Sequence, residues 1–134
     1  MPTALDHMIL PVNDAAESVA FYTDILGFGR DADCEPFTVV RVTPELTLQL
    51  APWGTDGHWH LAFSFDRGEF DAVFGRVRAA GLAYGDSFHE ADNGCGPAPE
   101  DGARGPGYAV YLFDPNWHLI ELRYYDDAEV GSPT

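Results

Sequence analysis

The sequence predicts an α+β domain built from a strand–helix–three-strand unit that occurs twice. Two observations carry this. The order of patterns, one short apolar strand, one amphipathic helix and three further strands, runs through the chain and then starts again. The two runs also share a register. At an offset of 53 residues His7 falls on His60 and Phe21 on Phe74, and the helix-ending Gly27 and Gly81 differ by 54. Self-similarity at a fixed spacing is the mark of a duplicated structural unit.

The elements follow in order. "LDHMIL" (5–10) reads as a strand closed by Pro11. "NDAAESVAFYTDILGF" reads as a helix, with Asp14 at its N-cap and Glu17 three residues on, the spacing of a capping box. Val19, Tyr22, Ile25 and Leu26 make its apolar face, and Gly27 ends it. Strands are expected around 28–34, at 37–42 and at 46–51. In the last, Thr47 and Gln49 share one face and the leucines the other. The second copy opens with "HWHLAFSF" (58–65). Its helix, 68–81, carries Phe70, Val73, Phe74 and Val77 on one face. Strands are then expected near 83–89, 108–113 and 118–125, the last two joined by an Asp114-Pro115-Asn116 turn. The second copy also holds an insertion, 90–107, rich in Gly and Pro and expected to be a loop, either a surface connection or a lid over a site.

The whole chain of 134 residues suits one domain, with module one at about 1–55, module two at about 56–126 and a short acidic tail, 127–134. The net charge is −15 and there is no lysine, so nucleic acid and anionic membranes are poor partners. No run reaches the ~18 apolar residues of a membrane helix, and "MPTALDHMIL" has no signal-peptide pattern, so a cytoplasmic location is expected. Cys34 and Cys95 form no metal or redox spacing and are expected to be free thiols.

Glu121 is the residue that asks for a function. It lies among Leu119, Ile120 and Leu122 on an otherwise apolar strand, where a carboxylate is costly unless paired or metal-bound. The duplication gives it a counterpart, Gln49, while His7 and His60 are equivalent to each other. Two imidazoles and a carboxylate suit Fe(II), Mn, Zn or Ni with positions left open for substrate. Other readings stand beside this one. His7 could be a buried histidine bonded to backbone. Glu121 could pair with Arg123, two residues on and on the same strand face. His58 competes with His60, and Tyr111 could be plain core. His118, at the turn, and His89, beside the insertion, are expected at the surface. Trp53, Trp59 and Trp117 are expected to pack, with one of them available to floor an aromatic pocket.

"LDHMILPVNDAAESVAFYTDILGF", "HWHLAFSFD" and "VYLFDPNWHLIEL" resemble the opening strand and helix, the central metal strand and the closing segment of the vicinal oxygen chelate superfamily. That superfamily includes glyoxalase I, extradiol dioxygenases, fosfomycin-resistance enzymes and bleomycin-binding proteins. The resemblance implies two βαβββ modules forming the glyoxalase/bleomycin-resistance/dioxygenase fold, curled around a metal funnel. It implies His7, His60 and Glu121 as metal ligands, Gln49 as a fourth ligand or substrate contact, and Tyr111 as an active-site hydrogen-bonding group. It further implies a small-molecule substrate, a divalent metal and a homodimer. The chain departs from the pattern in three ways. Trp117 stands where the closing turn has glycine, Ile9 stands where the fosfomycin branch has threonine, and no lysine is present to meet a phosphonate. The resemblance slightly favours ring-cleaving dioxygenase chemistry, with a glyoxalase-like lyase or isomerase and a non-catalytic drug-binding protein as the other expectations.

Overall fold

The computed structural model describes residues 3–126; the expected acidic tail lies outside the described residues. The chain divides into two compact units, one up to Gly57 and one from His58 onward. Each repeats the same plan.

In the first unit, β1 (His7–Pro11), β2 (Gly29–Arg30), β3 (Thr38–Arg41) and β4 (Thr47–Ala51) form a mixed sheet in the order β1-β4-β3-β2. β1 runs parallel to β4, and β3 antiparallel to it. The helix α1 (Ala15–Ala20) starts where Asp14 accepts a hydrogen bond from the Glu17 N–H at 3.0 Å. It then widens into a π-helical turn, Phe21–Ile25, closed by the Leu26 N–H donating to the Phe21 carbonyl. Gly27 follows at φ 83, the left-handed conformation that suits glycine. Leu10, Val12, Tyr22, Leu26, Val40, Leu48 and Leu50 are fully or almost fully buried.

In the second unit, β5 (His60–Ser64), β6 (Ala98–Pro99), β7 (Gly107–Phe113) and β8 (Leu119–Tyr125) form a sheet in the order β5-β8-β7-β6. The helix α2 (Arg67–Ala79) is capped by Asp66, whose side chain accepts from the Glu69 N–H at 2.8 Å. Its buried stripe is the expected one, Phe70, Val73, Phe74 and Val77. Phe70 meets Tyr124 of β8 edge to face at 4.8 Å. Each such side chain buried contributes about 1.5–3 kcal/mol, so this face of the sheet is held by packing. That leaves the opposite face free to carry polar groups.

One expected strand is displaced. Among the described residues, 83–89 pair with the sheet only through a bridge at Gly85, which exchanges two backbone hydrogen bonds with Tyr111, each 2.8 Å. The fourth strand is instead β6, inside the glycine- and proline-rich insertion, where Ala98 and Pro99 pair with Ala109 and Tyr108. Proline is tolerated there because β6 is an edge strand. No helix among the described residues is long and apolar enough to cross a membrane.

The closing turn explains its odd residue. Asp114 Oδ1 accepts from the N–H groups of Asn116 at 2.8 Å and His118 at 2.9 Å. This fold-back sets Trp117 at φ 67, the left-handed region where glycine is the comfortable residue. Its ring packs edge to face on Phe113 at 5.4 Å yet stays 64% exposed, and Trp53 and Trp59, against Phe37 and His118, also lie at the surface. Trp117→Gly is therefore expected to be neutral or to stabilise the fold by up to about 1 kcal/mol. Urea denaturation checks this; a loss of more than about 1 kcal/mol would mean that the ring is held by packing. The same turn buries His118, against expectation. Its Nδ1 accepts from the Trp59 N–H at 3.3 Å, and its ring is fully inaccessible.

Candidate active site

Alternation along the strands builds the site. In β8, Ile120, Leu122 and Tyr124 are buried, and the strand period of two puts them on the helix side. Leu119, Glu121 and Arg123 therefore point the other way. Register then aligns the neighbours: Tyr111 of β7 stands opposite Glu121, and Ala62 of β5 flanks it on the other side. His60 and Ser64 lie on that same face of β5, and Ala109 lies there on β7. The small side chain of Ala62 leaves room between the polar ones, while Ala109 is covered by Ala91. A cavity of about 660 Å³ opens over this face, bordered by His60, Tyr111, Glu121 and Arg123. That volume is typical of small-molecule sites.

Three of the residues expected from sequence meet here. His60 Nε2 donates to Glu121 Oε1 at 3.0 Å. The His60 and Tyr111 rings lie edge to face at 6.0 Å. The other Glu121 oxygen accepts from Arg123 Nη1 at 2.6 Å, so the ion-pair reading of Glu121 is also realised. Both members of that pair are buried. A buried pair of this kind is costly to break from one side, because the survivor keeps its charge without a partner. Burial, the largest single influence, pulls the Arg123 guanidinium down, but the bond to Glu121 together with the nearby Tyr125, Glu121 and Glu100 makes the net shift upward.

Glu100, in the insertion, is a site residue that the sequence reading missed. It accepts the Tyr111 hydroxyl at 2.6 Å, and its backbone carbonyl accepts from Arg123 Nη2 at 2.7 Å. Burial first, then the bond to Glu100 and the nearby Glu121 charge, hold the Tyr111 phenol far above the usual tyrosine range. Tyr111 therefore keeps its proton at any ordinary pH. Nothing in the local pattern distinguishes Glu100 from the surface acids around it; only the pairing of β6 with β7 brings it over the sheet. The insertion is thus an ordered wall of the cavity. The Glu100 N–H donates to the Gly107 carbonyl at 2.9 Å, and the Arg104 guanidinium sits 4.3 Å over the Tyr125 ring.

The first unit carries the equivalent positions. His7 pairs with Thr47 and Ile9 with Gln49 in the β1–β4 register, just as His60 pairs with Leu119 and Ala62 with Glu121. Gln49 is therefore the counterpart of Glu121. His7 is exposed, unlike a core histidine, and its Nδ1 bonds Asp6 at 2.8 Å. An acid on Nδ1 leaves Nε2 as the nitrogen for a metal, an arrangement common among metal-binding histidines. Of the alternatives, His58 lies outside β5 at φ 79, and His89 is at the surface, its ring tilted against Phe88. Cys34 and Cys95 are free and exposed.

As a test of fit for a divalent ion, His60 and Glu121 supply one imidazole nitrogen and one carboxylate oxygen side by side, the right donor types for two positions. No group of three or more His, Cys, Asp or Glu side chains that could hold a metal is assembled among the described residues. The fit is therefore to part of a donor set.

A duplicated βαβββ fold with an acid and an imidazole on the open face of a sheet defines a class of small-molecule-binding domains. The model of the Glyoxalase/Bleomycin resistance protein/Dioxygenase superfamily matches residues 4–122, and the chain belongs to that superfamily. Among solved structures, oxidase ChaP-H2 is 30% identical, with a TM-score of 0.77 over 94% of this chain and 96% of that one. Lactoylglutathione lyase from Agrobacterium tumefaciens (20%, TM-score 0.66, 97% of this chain and 98% of that) shares the fold. So does the fosfomycin resistance protein FosX from Listeria monocytogenes (20%, TM-score 0.68, 96% and 98%). No curated protein matches the chain.

Proposed function

We propose that this chain is a divalent-metal-dependent enzyme acting on a small substrate that offers two adjacent oxygens. The observation that carries the reading is the His60–Glu121 pair beside Tyr111 on one wall of the cavity. In this reading His60 and Glu121 are two metal ligands and His7 is the third. Gln49 is a fourth ligand or a substrate contact. A bound Fe(II), Mn, Ni or Zn ion would supply Lewis-acid stabilisation of an enolate, catecholate or alkoxide oxygen. Arg123 holds the second Glu121 oxygen, which fixes the carboxylate and presents Oε1 to the cavity. Tyr111 hydrogen-bonds the substrate oxygen, and the insertion excludes water from one side.

Ring-cleaving dioxygenase-like chemistry is slightly favoured. The likeness to an oxidase, ChaP-H2, at 30% identity supports an oxidative reaction over a lyase or isomerase. The working unit is proposed to be a cytoplasmic homodimer. A drug-binding protein without catalysis is the second reading, favoured by the net charge of −15, which suits a cationic ligand.

Assays of protein purified without oxygen against a panel of catechols and hemithioacetals test the proposal. Metal-dependent turnover of at least one substrate is expected, with a loss of at least ~100-fold in His60→Ala. No turnover with any metal, alongside tight binding of a cationic drug, would replace the enzyme by the binding protein.

A further inference from the structure

Glu100 belongs to the segment that the second module has and the first lacks. It is fixed at three points: its carboxylate on Tyr111, its carbonyl on Arg123 and its N–H on Gly107. The phenol of Tyr111 has a single proton. An ionised carboxylate can only accept, so that proton points at Glu100. What Tyr111 turns toward the cavity is a lone pair.

We propose that Glu100 is a positioning residue that sets Tyr111 as a hydrogen-bond acceptor, so that the cavity selects a ligand bringing a hydroxyl proton to that point. The ligand class is a phenol, enol or alcohol that arrives carrying its O–H, in preference to an ether or a carbonyl. This rests on the reading of Tyr111 as a substrate contact. The surrounding charge agrees with it. Glu121 and Asp101 border the same cavity. Of the two arginines that border it, Arg123 already spends Nη1 on Glu121 and Nη2 on the Glu100 carbonyl, and Arg104 lies over the Tyr125 ring. A ligand offering only lone pairs at Tyr111 would face a lone pair with carboxylates behind it. A ligand O–H instead completes a chain from ligand to Tyr111 to Glu100.

The test is equilibrium dialysis of the full-length protein, as purified, against phenol and against anisole, which differ in the hydroxyl proton. Wild type is expected to prefer phenol by about tenfold, the worth of one hydrogen bond with its unmet alternative. Glu100→Gln can donate its amide N–H to the Tyr111 oxygen and release the phenol proton to the cavity. It is expected to bind phenol more weakly and anisole more tightly, bringing the preference below about twofold. Tyr111→Phe is expected to bind both alike. A merely structural role for Glu100 would weaken both ligands in step, and that result overturns the proposal. So does a wild type that binds neither ligand or both equally. Metal content measured on the same samples separates this from the reading it rests on. Protein without metal that still prefers phenol sinks the metal assignment alone. A metalloprotein without the preference sinks the acceptor role of Tyr111 alone.

Discussion

Glu121→Ala is expected to lower stability by about 3 kcal/mol and to abolish metal binding, whereas Glu121→Gln abolishes metal binding at a stability cost of only about 1 kcal/mol. The difference comes from Arg123. Its side chain is almost wholly buried and bonds a Glu121 oxygen at 2.6 Å. Removing the carboxylate leaves a guanidinium in the sheet with Glu100 as a partner, through a carbonyl at 2.7 Å and a carboxylate oxygen at 3.6 Å, and with the Tyr125 ring 4.7 Å from it. The contacts to Glu100 keep the loss at the lower end of the range for a broken buried pair. Glutamine keeps an oxygen for Arg123 and a nitrogen that His60 can meet, so the fold survives while the anionic donor is gone. Urea denaturation and metal analysis of both variants read the two effects separately. Equal stability of the two would mean that the Arg123 charge needs no partner.

Gly85→Ala is expected to cost at least about 3 kcal/mol and to disorder the approach to Tyr111. A Cβ at Gly85 would run into the carbonyl of Glu90, with the Ala91 backbone behind it, and neither can turn aside as a side chain would. To make room, the segment must leave β7 and give up its two backbone hydrogen bonds with Tyr111, each about 1 kcal/mol. Ala91, which packs on Ala109 and Tyr111, leaves with it. Gly75→Ala is the matched control. Nothing lies within 4 Å of its added Cβ in the exposed face of α2, and alanine in a helix is favoured by about 0.5–1 kcal/mol. Thermal unfolding of the pair should move in opposite directions. A Gly85→Ala protein as stable as wild type would show that the segment can shift freely.

The duplication was legible because it rests on periodicity. His7 and His60, Gln49 and Glu121, and the two helix-ending glycines all fall at matching registers. The polar face around Glu121 was legible for the same reason, since alternation in a strand assigns faces without knowing the partner. What depended on tertiary pairing was not. β6 lies in a stretch whose composition reads as loop, and its ladder is supplied by β7 rather than by its own residues. Glu100 becomes a site residue only through that pairing. His118 looked like a turn residue and is buried because Asp114 folds the chain back over it. Trp117 could not be explained from sequence, since its significance is a backbone angle.

The central claim is that His60 and Glu121, together with His7, hold a divalent metal over the face that Tyr111 borders. Metal content of wild type, His7→Ala and His60→Ala, each reconstituted without oxygen in turn with Fe(II), Mn, Ni and Zn, tests it most directly. The account predicts about one ion per chain for wild type with at least one of these metals, and near-complete loss in both variants. Undiminished metal in either variant, or none in wild type with any of the four, would contradict it.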